Sequence, residues 1–234
     1  MESSALTPFY ALGDVLRAEL AGGLAGVDDA DFGVLGEVAR WTRDFLSAPH
    51  PELGRVGDVC PYSAVSVREG LLLAAVCHVF DADPRPAMRQ VMEHTLVEFE
   101  ARSPRFGNRV GLKAMLVLFP SLESEWIEDV QDSESLRFAQ RGLMLGEFHA
   151  ESEVPGLHNP RFRPLRSPIP LLGIRAMVPT DLPFLTGSDD QLDCYLRRFE
   201  DAGLKQIAAF LRAPHAEIDP DAIRRLESAL YGLR

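Results

Sequence analysis

The chain is poor in cysteine and has no long hydrophobic run, and each shortage excludes a class of protein. Its three cysteines are odd in number and widely spaced, which argues against a disulfide framework. The longest apolar run, residues 71–79, is too short to span a bilayer. The first 30 residues lack a basic region followed by an apolar stretch, so a signal peptide is not expected. We therefore predict a cytoplasmic protein.

Lysine is also scarce. It occurs only at Lys113 and Lys205, so arginine supplies nearly all the positive charge of a chain whose formal net charge is -11. Such an excess of acid argues against nonspecific nucleic-acid binding and against an anionic membrane surface. The remaining composition, with 46% hydrophobic residues, is that of a globular protein.

The familiar catalytic signatures are missing as well. The sequence contains no glycine-rich phosphate loop, no GxSxG, no HExxH and no CxxC, and these are the motifs that identify the common enzyme classes. His149 and His158 lie near Glu147, Glu151 and Glu153. Their spacing matches no common metal-ligand pattern, so we do not assign a mononuclear metal site to them.

Hydrophobic periodicity predicts helices flanking about five strands. Helices are expected at about 9–21, 31–46 with Asp31 as N-cap, 86–101, 122–140, 189–211 and 220–233. Strands are expected at about 64–68 and 71–80, which would form a tight hairpin, and at 112–119, 143–149 and 169–178. The predicted fold class is α+β, a single domain over 1–234 with a mixed sheet. Its parts are an N-terminal helical pair (about 8–46), a sheet-containing core (about 60–185) and C-terminal helices (about 189–233).

The most informative stretch is residues 155–178, which we call the basic segment. It contains five prolines and no acid, and its charged or ionisable side chains are those of His158, Arg161, Arg163, Arg166 and Arg175. Because prolines at 160, 164 and 168 prevent a helix, residues 161 and 163 would project to one face and grip two oxygens of one anion. Two alternatives remain open: the arginines pair with the acidic helix at 122–140, and His158 is an ordinary turn residue.

The cysteine before Pro61 is a second candidate. On a loop after a helix, Cys60 could offer a thiolate to iron or to a disulfide partner, although most such cysteines are small buried hydrophobes. Tyr62 adds a polar group beside it, and His50 lies in the same loop. A nucleophilic Cys–His pair is therefore a further hypothesis, without an identified third group to orient it.

Two blocks carry a resemblance. WTRDFLSAPHPELGRVGDVCPYS and GLHNPRFRPLRSPIPLLGIRAMVPTDLPFL resemble blocks of a family of uncharacterised actinobacterial proteins met near specialised-metabolite genes, over residues 41–185. More remotely, the layout is similar to the YqcI/YcgG family, some of whose members are haem-dependent N-oxygenases. Cys60 would match the early cysteine of that family, His158 the histidine of its late loop, and Arg163 and Arg166 its basic residues.

The resemblance implies a haem site. His158 would be the axial ligand of the iron, with Cys60 as the alternative, and Arg161, Arg163 and Arg166 would bind the haem propionates or a substrate carboxylate. The substrate would be a small amine or amino acid oxidised at nitrogen, with Arg175 and Tyr62 as substrate-binding candidates. The electron donor is not identified, and a homodimer is left open.

Three hypotheses follow. The first is a haem-dependent oxygenase of specialised metabolism. The second is a cofactor-free enzyme or binding protein for an anionic small molecule, which uses the arginines alone. The third is a non-catalytic accessory protein of a biosynthetic assembly, which docks through the acidic helix at 122–140.

Overall fold

A computed structural model describes residues 3–105, 107–212 and 219–232. The chain divides into two compact units. The first comprises Met1–Glu134 and Leu145–Arg175, and the second comprises Ser135–Met144 and Ala176–Arg234. Each unit is described by itself, and the single domain over 1–234 stays a prediction.

The predicted α+β class and mixed sheet flanked by helices are confirmed. The helices are α1 (Leu12–Ala21), α2 (Asp29–Trp41), α3 (Ser63–Arg68), α4 (Arg85–Ala101), α5 (Ser124–Gln140), α6 (Asp189–Arg212) and α7 (Pro220–Tyr231). The strands are β1 (Ser4–Leu6), β2 (Tyr10–Ala11), β3 (Leu72–Val79), β4 (Ala114–Leu118), β5 (Leu143–Phe148) and β6 (Leu171–Ala176). The sheet has six strands instead of about five. Residues 64–68 lie in a helix and not in a strand, and two short N-terminal strands, β1 and β2, were not predicted.

The strand order is β1-β3-β4-β6-β5, with β2 also paired to β3. Strands β3 and β4 are parallel, whereas β1 and β2 run antiparallel to β3, and β6 runs antiparallel to β4. A parallel pair needs a crossover connection, and α4 lies in the connection between β3 and β4. Because central strands are covered on both faces, β3 and β4 read as nearly continuous apolar runs.

The core of the first unit forms where α1 and α2 pack on the sheet. Leu12 and Val15 of α1 and Leu35 and Val38 of α2 are fully buried in one cluster with residues of β3 and β4. These positions are three or four residues apart within each helix, so they lie on one face. Helix α2, held on the sheet by this stripe, ends at Trp41.

The predicted hairpin at 64–68 and 71–80 is wrong. Residues 63–68 form helix α3, which ends in a turn with Gly70 at a φ of +65°. The Gly70 amide donates to the Val67 carbonyl at 3.1 Å, and the Leu71 amide donates to the Ser66 carbonyl at 2.8 Å. This pair of bonds is a Schellman motif, which closes a helix. The β-branched valines suggested a strand, but their propensity is weak against this closure.

The N-cap of α2 also differs from the prediction. Asp28, not Asp31, caps the helix, because the Asp28 carboxylate accepts from the Asp31 amide at 2.9 Å. Asp31 lies one turn further on, buried, with its Oδ1 2.8 Å from His78 Nε2. After Trp41 the backbone continues as a π-helical turn, Thr42–Leu46.

The second unit is built around α6 and α7. Its apolar cluster contains the fully buried side chains of Leu192, Tyr195, Ile207 and Leu226. The Tyr195 hydroxyl donates to the Pro179 carbonyl at 2.8 Å, so the buried phenol is satisfied. Among the described residues, no helix combines the length and the apolarity needed to cross a membrane.

Candidate anion-binding site

Two loops of the first unit pack together and form the candidate site. One loop, residues 47–62, follows the π-helical turn, and the other, residues 149–170, connects β5 and β6. Asn159 Nδ2 donates to the Glu52 carbonyl at 2.7 Å. At Gly54, whose φ is +78°, an added Cβ would lie 2.6 Å from the His158 carbonyl oxygen. Only glycine permits this approach of the two backbones.

Aromatic side chains anchor the 149–170 loop. Phe162 is buried in a small cluster with Leu53 and Val59, and its ring centroid lies 4.7 Å from that of His50 and 6.0 Å from that of Phe45. Trp41 Nε1 donates to the Arg166 carbonyl at 3.0 Å, which ties the end of α2 to the same loop. Because Phe162 points into this cluster, its neighbours Arg161 and Arg163 stay near the surface.

A cavity of about 490 Å³ lies between these elements. Its walls combine aromatic rings with cationic groups. The lining residues are Trp41, Phe45, His50, Glu52, Ala150, Arg161, Phe162, Arg163, Arg166, Ser167 and Pro168. Ligand sites commonly join an apolar wall to a few placed polar groups, and this cavity has that character.

One carboxylate holds two of the three arginines. Arg163 Nε donates to Glu153 Oε2 at 2.9 Å, and Arg166 Nη2 donates to Glu153 Oε1. Backbone oxygens fix the same guanidinium groups, since Arg163 Nη1 donates to the Pro160 carbonyl at 2.6 Å and Arg166 Nε to that of Ser152 at 3.1 Å. Hydrogen bonds from Arg163 and Arg166 hold the pKa of Glu153 below its usual range. The carboxylate is therefore ionised at neutral pH.

The acidic helix does not hold Arg163 and Arg166. On α5, Asp129 and Glu134 instead pair with Arg85 and Arg89 of α4. The guanidinium group of Arg161 makes no hydrogen bond to any other residue in the described ranges. It is exposed and lines the cavity. At least one cation is therefore free to meet a ligand without breaking an existing contact.

His50 adds another donor. Its Nδ1 accepts from the Glu52 amide at 3.2 Å, so the proton of the neutral ring resides on Nε2. Sequence reasoning named His50 only as a partner for Cys60, and it did not name Trp41 or Phe45 as site residues. No sequence signal singled them out, because Val38, Trp41 and Phe45 continue the apolar spacing of α2.

The other predicted site residues lie outside the cavity lining. His158 is exposed, and its carbonyl packs against Gly54. Cys60 is half-buried and free, and its carbonyl accepts from Ser63 Oγ at 3.1 Å. Tyr62 precedes α3, and Arg175 lies on β6 opposite Ala114. Of the basic segment, the structure thus brings Arg161, Arg163 and Arg166 to one cavity.

These positions do not fit a haem ligated by His158. An axial histidine must face the slot that holds the porphyrin, next to the cations for its propionates. Here the arginines line a cavity to which His158 contributes no atom, and the histidine on its wall is His50. We therefore derive no chemical step through a haem.

A second group of ionisable side chains lies between α5 and β5. We call Glu128, Glu147 and His149 the His149 cluster. His149 is 0% exposed, and its Nε2 lies 3.2 Å from Glu128 Oε1 without the alignment of a hydrogen bond. Burial, reinforced by the charges of Glu128 and Asp132, raises the pKa of Glu147 to about 7. Within the described ranges, no group of three or more such side chains is arranged to hold a metal ion.

One family model matches the chain. Its description is "Domain of unknown function (DUF6875)", and it matches residues 35–210, about three quarters of the sequence. The matched range includes both loops of the site and the His149 cluster. No curated protein and no solved structure matches the chain.

Proposed function

The chain belongs to the DUF6875 family, and we propose that its function is to bind a small molecule that carries an anionic group next to an aromatic or other apolar body. The observation that carries this proposal is the convergence of three arginines, a histidine and three aromatic rings on one cavity. Guanidinium groups bind carboxylates and phosphates through paired charge-assisted hydrogen bonds. Trp41 and Phe45 offer an apolar surface to the remainder of the ligand.

Preorganisation supports this function. Four elements restrain the cationic loop: the Phe162 anchor, the Trp41–Arg166 hydrogen bond, the Asn159–Glu52 hydrogen bond and the close approach at Gly54. A restrained receptor loses less conformational entropy when the ligand arrives. Because His50 Nδ1 accepts from the Glu52 amide, Nε2 is the ring nitrogen that can donate to a ligand beside the arginines.

The cytoplasmic location predicted from the sequence is part of the same proposal, and three free cysteines support it. The haem-dependent N-oxygenase and the accessory protein of a biosynthetic assembly stay predictions. An ultraviolet–visible spectrum of the protein reconstituted with haem tests the former. For the latter, reversal of the charges at Glu125 and Glu128 should abolish complex formation.

Calorimetric titration with three probes that share a phenyl ring tests the binding function. Benzoate and phenyl phosphate are anionic, and benzamide is their neutral counterpart. We expect at least one anion to bind more tightly than benzamide, and Arg161→Ala to weaken that binding about tenfold, or about 1.4 kcal/mol. Arg68→Ala removes an exposed arginine that does not line the cavity, so it is the matched control. Equal affinity for all three probes, or equal loss in both variants, would contradict the proposal.

A further inference from the structure

Two carboxylates accompany the three arginines of the cavity. Glu153 lies outside the cavity lining but pairs with two lining residues, Arg163 and Arg166, and Glu52 lines the cavity itself. Three guanidinium groups and two carboxylates leave one net positive charge when His50 is neutral. A fully charged dianion would therefore bring one more negative charge than the rim can compensate.

We propose that Glu153 is the specificity-determining residue of this site and selects monoanionic ligands, such as carboxylates, over dianionic phosphates. This inference rests on the proposed binding function. Glu153 achieves the selection by occupying one edge of each of two guanidinium groups with its own carboxylate. The ligand then meets the remaining edges of those groups and the free guanidinium of Arg161.

The geometry of the two arginines supports this division. Arg163 uses Nε for Glu153 and Nη1 for backbone oxygens, and Arg166 uses Nη2 for Glu153 and Nε for Ser152. Arg163 Nη2 and Arg166 Nη1 have no hydrogen-bond partner among the residues that the structure describes. Each arginine therefore retains one nitrogen for a ligand, which suits the two oxygens of a single carboxylate.

Electrostatics favours the monoanion for a second reason. The cost of removing water from an ion rises steeply with its charge, so a charge that the rim does not compensate weakens binding. The Glu153 side chain is 69% exposed, but the two arginines keep its carboxylate ionised and in place. A dianion must either displace this carboxylate from both arginines or bind beside it, and both routes weaken its binding.

The test compares benzoate with phenyl phosphate in the full chain. Phenyl phosphate is largely a dianion at pH 8, because the second pKa of such phosphates lies near 6. We expect wild type to prefer benzoate, and Glu153→Gln to increase the affinity for phenyl phosphate about tenfold and that for benzoate less. Glu151→Gln makes the same change of charge in the same loop. Glu151 accepts from Ser124 Oγ and does not contact the arginines, so this control should leave the ratio of affinities unchanged.

The outcomes separate the two proposals. If wild type prefers phenyl phosphate, or if Glu153→Gln leaves the ratio unchanged while binding persists, the role of Glu153 is overturned and the binding function stands. If Glu151→Gln shifts the ratio as much as Glu153→Gln, the effect is one of overall charge and the specific role is again overturned. If no anion binds more tightly than benzamide to either wild type or Glu153→Gln, both proposals fall.

Discussion

The arginine-lined cavity and the His149 cluster both contain ionisable groups of the first unit. The two regions differ in how exposed these groups are and in how well they are paired. The cavity's charged groups are near the surface, and Arg163, Arg166 and Glu153 satisfy one another. In the His149 cluster, His149 is fully buried without a hydrogen bond within the described ranges, and burial raises the pKa of Glu147. Exposed and paired groups can exchange partners at low cost, whereas buried and unpaired groups weaken the folded state. Changes at the cavity should therefore affect binding, and changes in the cluster should affect stability.

Glu147→Gln should give the largest effect in this comparison. The folded-state pKa of Glu147 is about 7, above its ordinary value of 4.5. The protonated form is thus favoured by folding, and its contribution to stability is present below about pH 4.5 and lost as the pH rises through 7. Glutamine keeps the neutral state, so the variant should exceed wild type by up to about 2–3 kcal/mol at pH 8 and by little at pH 5.

Urea denaturation at the two pH values measures this difference. Glu125→Gln changes an exposed residue of α5 and should give no pH-dependent gain. Binding of benzoate should be unaffected in both variants, since Glu147 does not line the cavity. A pH-independent stability difference for Glu147→Gln would contradict the assignment.

His149→Leu should give a smaller gain. Leucine removes a fully buried ring that makes no hydrogen bond within the described ranges, and the Glu128 side chain left behind is 50% exposed, so it stays solvated. We expect stabilisation of about 1 kcal/mol, because a poorly satisfied buried polar group is replaced by an apolar one. A loss of benzoate affinity would show that the two regions are not independent.

His78→Leu is the contrasting control for that variant. His78 Nε2 lies 2.8 Å from the Oδ1 of the buried Asp31. Its removal leaves a buried carboxylate without this partner, so we expect destabilisation of about 1–3 kcal/mol. Thermal unfolding measures the change in stability of both variants. Stabilisation by His149→Leu together with destabilisation by His78→Leu would support the distinction between paired and unpaired buried groups.

Trp41→Phe should give an effect no larger than that of His149→Leu and confine it to binding. Phenylalanine keeps an aromatic ring on the cavity wall but removes the donor to the Arg166 carbonyl. The loss of one hydrogen bond that restrains the loop should weaken benzoate binding by about 1 kcal/mol, or about fivefold. Trp126→Phe alters a tryptophan that contacts Arg85 away from the cavity and should leave the affinity unchanged. Equal effects would argue against a role for the Trp41 hydrogen bond.

Prediction from the sequence succeeded where the signal was local. The α4 and α5 helices and the apolar strands β3 and β4 follow directly from hydrophobic periodicity. It failed at α3, where β-branched valines suggested a strand and a Schellman closure at Gly70 produced a helix. It also placed the N-cap of α2 one turn late, because several aspartates compete for that position and only backbone geometry chooses among them.

The sequence by itself determined that a proline-rich segment must hold its arginines outside a helix, because fixed φ angles and missing amide donors are properties of the residues. Only the tertiary structure decided what those arginines face. The packing of Phe162 turned His50, Trp41 and Phe45 toward the same cavity as three of the arginines. In the folded chain His158 lies on the surface, and Arg163 and Arg166 pair with Glu153. The residues that meet in this way are far apart along the chain or lie on opposite sides of a turn. Local conformational preferences therefore do not determine how close they come in the folded protein.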